Sequence, residues 1–203
     1  MPKPNSSQCL EPHLRSFGLH VFPSLLKTRT GSQGGGNVTV ERLAIHISHE
    51  YPCSDYITTL VDYYGFKKAG DRSKQQLEAD ITAEIQKHID DFNERRIIPY
   101  VQMHEFEALL FSDIEQFQFV LDGWNAKTRQ ALLSIKADFP TPEHINNSRL
   151  TAPSKRIERV FSNGEYSKRE HGPIIASEIG LSKIRDECPQ FSAWIDTLEK
   201  LTG

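Results

Sequence analysis

Three groups with chemical potential stand together where an apolar run turns polar: His104, Glu105 and Glu107, at the end of Ile97-Ile98-Pro99-Tyr100-Val101-Gln102-Met103. One imidazole and two carboxylates at such a junction cost desolvation unless they are paired. A further carboxylate, Asp62, closes another apolar run, Tyr56-Ile57-Thr58-Thr59-Leu60-Val61. Asp62, Glu105 and Glu107 would offer oxygen ligands of the kind hard cations prefer, Mg²⁺ or Mn²⁺, with His104 tilting the choice towards Mn²⁺. A cation held there could polarise a phosphate and lower the pKa of a bound water. The structural alternative is that Glu105 caps a helix expected to start near Phe106. Two buried carboxylates repel unless a cation intervenes, which favours the metal reading for the group as a whole.

A second cluster is basic: Lys155, Arg156 and Arg159, then Lys168 and Arg169. Such residues can meet phosphates, although charge runs are more often solvated helix faces. The run Gly34-Gly35-Gly36 lacks the lysine and spacing of a phosphate-binding loop and reads as a surface loop. His46 and His49 are spaced for a shared metal on one helix face, in surroundings that read as surface.

Several elements must position these groups. Residues 10–17 read as helix, 19–26 as strand and 38–51 as helix stopped by Pro52. The β-branched run 56–61 reads as the strongest strand. A helix over 75–92 follows, with Leu77, Ile81, Ile85 and Ile89 in steps of four. After the strand at 97–103, helices are expected at 106–111, 112–121, 125–137, 154–161, 173–179, 181–187 and 190–201. Strands alternating with helices imply an α/β fold with a largely parallel sheet, and ligands in such sheets lie beyond the carboxyl ends of the strands. Asp62 and the His104–Glu107 group both fall at such ends. Residues 1–111 would form this core and 112–203 a helical extension packed on it.

The bulk properties narrow the class. The chain has 203 residues, a net charge of −3 and three cysteines with no zinc spacing. No global cationic field draws in nucleic acid, so any such contact must be local. Unpaired thiols fit a reducing cytoplasm, and no run has the length of a membrane span.

The stretches Thr58-Thr59-Leu60-Val61-Asp62-Tyr63-Tyr64-Gly65 and Ile98 to Phe111 resemble the bacterial domain-of-unknown-function family 4276. So do Ala152-Pro153-Ser154-Lys155-Arg156-Ile157, Tyr166-Ser167-Lys168, His171-Gly172 and Cys188-Pro189-Gln190-Phe191 with Trp194. The resemblance implies a Toprim-like metal-binding fold, often encoded beside an AAA-type ATPase in anti-phage or DNA-maintenance loci. It implies a metal-dependent nuclease or phosphodiesterase acting on DNA, with Asp62, Glu105 and Glu107 around Mg²⁺ or Mn²⁺. Lys155 or Lys168 would then neutralise phosphate charge. Tyr64 stands where the second acid of the Toprim aspartate pair is expected. The family's opening Val-Glu-Gly-x-Thr-Glu turn has no counterpart in residues 1–8, which implies a truncated chain or lost catalysis. A sheet lacking that strand would expose edges and favour self-association. The alternative function is a catalytically incomplete subunit that docks on an ATPase and senses DNA or nucleotide.

Overall fold

The computed structural model describes residues 7–26, 38–67, 70–145 and 151–202. The Gly34-Gly35-Gly36 run, expected as a surface loop, lies outside the described residues. Two compact units emerge: Ser24–Met103, and Met1–Pro23 together with His104–Gly203.

The first unit is the α/β part. Its helices are α2 (Val40–Glu50) and α3 (Lys74–Gln86), and its strands are β1 (Ile57–Thr58), β2 (Val61–Asp62), β3 (Ile97–Ile98) and β4 (Val101–Gln102). Thr39 starts α2 by accepting from the Arg42 N–H, and Ser73 with Gln76 forms a capping box on α3. The predicted spacing on α3 puts Leu77, Ile81 and Ile85 wholly in the core against Leu43, Ala44 and Ile47 of α2. The helix stops at Gln86, so Ile89 packs on that core from beyond its end.

β1 pairs with β3 and β2 with β4, both parallel and in one continuous register, Ile57 with Ile97 through Asp62 with Gln102. The expected strand at 56–61 is therefore present as two short pieces, and Pro99 supplies the reason. Proline has no N–H for the ladder. At the gap the Thr59 hydroxyl stands in for backbone, accepting from Tyr100 N (2.9 Å) and donating to Tyr100 O (3.0 Å). On the far side of β4, Glu78 accepts from Val101 N (2.9 Å) and Lys74 donates to Val101 O (2.8 Å). At Val101 the edge expected to be open is thus satisfied by side chains of α3, a common way of blunting strand addition.

The second unit is helical: α1 (Ser7–Ser16), α4 (Ala126–Ala137), α5 (Pro153–Val160), α6 (His171–Ile179), α7 (Leu181–Glu187) and α8 (Pro189–Glu199). Residues Phe106–Ser112 and Ile114–Phe119 form tight 3₁₀ turns in place of the expected α-helices. Residues Glu107 to Ser112 are all buried, so no polar face exists to give that stretch an amphipathic helix, and Asp113 interrupts by accepting from Glu115 N. Gly180, at φ 77°, ends α6 and opens α7 in a conformation few other residues adopt. Gly123 is required for space: a Cβ there would stand 2.5 Å from the Phe161 ring. α1 is pinned to the last helices by His13, whose ring nitrogen lies 2.6 Å from Glu199, itself paired with Arg185. The segment 19–26 forms no strand; Pro23 removes one donor, and Phe22 and Leu25 stay exposed.

Candidate functional site

Within the helical unit, Glu105 and Glu107 share one cation. Lys168 Nζ lies 3.5 Å from Glu105 Oε1 and 3.3 Å from Glu107 Oε1. Glu107 follows from its place in the buried 3₁₀ turn, which leaves its side chain only 10% exposed. Lys168 comes from the loop before α6. That loop is fixed by Ser167 N donating to His171 Nδ1 (2.8 Å) and by Tyr166, which stacks on Phe161 and His171.

Glu105 also accepts from Ser154 N, 3.0 Å away, on the first turn of α5. The sequence explains the need. α5 begins Ala152-Pro153, and neither residue can cap the helix with a side chain. Glu105 does cap a helix, but it is α5 and not the turn that starts at Phe106. α8 repeats the arrangement, beginning Cys188-Pro189 and taking its cap from Glu143, which accepts from Gln190 N and Phe191 N, each at 2.9 Å. His104 faces this second glutamate. Its Nε2 lies 3.9 Å from Glu143 Oε1, and both side chains are 2% exposed. Its Nδ1 is 3.2 Å from the Glu105 carbonyl.

The two glutamates are tuned in opposite directions. Burial holds the Glu107 carboxyl above the ordinary range, and Lys168 offsets this only in part. For Glu143 burial acts the same way, but His104 and the Gln190 and Phe191 N–H groups outweigh it and hold the carboxyl below that range. Because folding raises the affinity of Glu107 for its proton, its contribution is complete below the unfolded value of about 4.5 and is lost as pH climbs through the raised folded value. Glu107→Gln is therefore expected to flatten that part of a plot of urea midpoint against pH. It should also leave the protein more stable than wild type at neutral pH.

The basic cluster is divided. Lys155 pairs with Glu158 at 2.6 Å, while Arg156 donates to Thr151 O and lies over the Phe139 ring. Lys155, Arg159, Lys168 and Arg169 are exposed. Asp62 belongs to the other unit, where it ends β2 opposite Gln102. Among the described residues, no three His, Cys, Asp or Glu side chains form a metal-holding group. Glu105 and Glu107 are two carboxylates that face one ammonium, that of Lys168. Mg²⁺ commonly takes one or two carboxylates and keeps several waters.

Glu143, the Ser154 hydroxyl and Tyr166 were not singled out in the sequence as site chemistry. The available signal was a pair of proline-started helices whose N-cap residues, Ala152 and Cys188, carry no capping oxygen.

No helix of the described residues is long and apolar enough to cross a membrane. No curated protein and no solved structure matches the chain. The model of a family described as a domain of unknown function, DUF4276, matches residues 4–199, and the chain belongs to that family.

Proposed function

We propose that this chain is a Toprim-like, divalent-cation-dependent phosphodiesterase acting on nucleic acid in an anti-phage or DNA-maintenance setting. One observation carries the reading. Glu107 is kept buried beside Glu105 with its carboxyl held above the ordinary range, an arrangement that works against stability at neutral pH. Costly carboxylates of this kind cluster at functional sites. Glu105 and Glu107 would hold Mg²⁺ or Mn²⁺, which when bound supplies Lewis acidity and an activated water. Lys168 would turn from the carboxylates to the phosphate, and Lys155, Arg159 and Arg169 would meet neighbouring backbone charges. His104 has its buried partner in Glu143 and would act by positioning the turn that carries Glu105.

The second reading is a binding subunit without catalysis. It is favoured by Lys168 itself, whose ammonium stands against both carboxylates. Calorimetric titration with Mn²⁺, alongside DNA cleavage in the same samples, separates the two. The enzyme reading expects uptake and cleavage in wild type and loss of both in Glu107→Gln. Uptake without cleavage supports the sensor, and absence of uptake overturns the metal site. Asp62→Ala in the same series tests its expected part in cation binding. An AAA-type ATPase partner and a cytoplasmic location rest on the family resemblance and the thiol content. Affinity purification from the native cell tests the partner.

A further inference from the structure

We propose that the amino end of α5, with the hydroxyls of Ser154 and Tyr166, forms a pocket for the terminal phosphate of a nucleic-acid strand, filled by Glu105 when no strand is bound. This rests on the reading above that the ligand is nucleic acid.

Ser154 is wholly buried on the first turn of the eight-residue α5. Pro153 has no N–H, so the Ser154 amide is the first the helix offers, and it is taken by the Glu105 carboxylate. Its hydroxyl, attached to the same residue, has no hydrogen-bond partner. The Tyr166 hydroxyl is a second buried group without a partner. Burial, and after it the charges of Glu107 and Glu105, push the pKa of this phenol upward. Gly172 lies next to it: a Cβ there would make ordinary van der Waals contact with the Tyr166 oxygen at 3.6 Å.

Buried hydroxyls left unpaired are rare because they forfeit the hydrogen bonds they make to water. Here one belongs to the residue whose amide holds the Glu105 carboxylate, itself paired with Lys168, and the other to Tyr166, two residues before that lysine. Helix amino ends with adjacent hydroxyls and an ammonium are suited to phosphate. Glu105 uses one amide and one ammonium, whereas a phosphate has oxygens for both hydroxyls as well. The enclosure of Ser154 selects the kind of phosphate. A strand running through needs an open groove, and a wholly buried donor is better reached by a phosphate at a strand end.

Fluorescence anisotropy with a short labelled oligothymidylate in EDTA tests this, using a 5′-phosphate, a 3′-phosphate or neither. One phosphorylated form should bind wild type about tenfold tighter than the bare oligomer. That gain should vanish in Ser154→Ala and shrink in Tyr166→Phe, substitutions that delete only unpartnered hydroxyls. Glu105→Gln should enlarge it by neutralising the internal competitor. Free inorganic phosphate should compete for the gain alone. Equal binding of all three oligomers to wild type, or an undiminished gain in Ser154→Ala, would overturn the proposal. Because no metal is present, these outcomes are independent of Mn²⁺ uptake, the measurement on which the enzyme reading stands or falls.

Discussion

Phe117→Ala is expected to destabilise the helical unit by about 3–5 kcal/mol, the range for emptying a buried aromatic site. Phe117 has no exposed surface, and its ring lies 6.1 Å from Phe111, 6.2 Å from Phe161 and 6.4 Å from Tyr166. The four rings tie the 3₁₀ turns to α5 and to the loop carrying Lys168, so little of the cavity can collapse. Gly123, pressed against Phe161, leaves that ring no room to swing elsewhere. Chemical denaturation should show the loss, and Phe117→Leu should recover much of it by refilling the volume. A cost below about 0.5 kcal/mol, the scale of a surface substitution, would show that these rings do not form a packed core. The same truncation should loosen Tyr166 and with it the placement of Lys168.

Glu143→Ala is expected to cost about 2–4 kcal/mol, a larger effect than an exposed helix cap gives. The substitution leaves Gln190 N and Phe191 N without their acceptor at the start of α8 and deprives buried His104 of its facing carboxylate. Because the folded carboxyl is held below its ordinary value of about 4.5, its contribution is complete above that value and is lost as pH falls through the depressed folded value. The wild-type and variant stability curves should therefore run parallel at their widest separation above pH 4.5 and approach one another in strong acid. Glu143→Gln should lie between them, since one carboxamide oxygen can still accept. If the variant matches wild type at neutral pH, the capping role assigned to Glu143 is wrong.

Local patterns in the sequence suffice where one face and one period decide the outcome. Leu77, Ile81 and Ile85 announce the buried stripe of α3, and Gly180 announces the break between α6 and α7. The parallel α/β class followed from alternation. What escaped was decided by groups far apart in the chain. Pro99 divides a strand some forty residues before it by withholding a donor from the shared ladder, a pairing no single-strand pattern reveals. Glu143 reads as one polar residue in a turn-rich stretch, yet it answers a need created at Pro189. Glu105 and Glu107 were legible as chemistry because carboxylates at the end of an apolar run are costly. Their counter-ion was legible only as a member of a basic cluster, since Lys168 reaches them through the Tyr166 stack.

The order of the chain gives the pinning of α1 a kinetic meaning. α1 is made well before its partners Arg185 and Glu199, which follow His13 by 172 and 186 residues. Between them the whole of Ser24–Met103 emerges, with its own core and its helix caps supplied locally. During synthesis that inserted segment can reach its final form early, while α1 waits as an unsatisfied amphipathic helix. Completion of the helical unit is thus a long-range closure that follows the inserted segment, and removing α8 should strand α1.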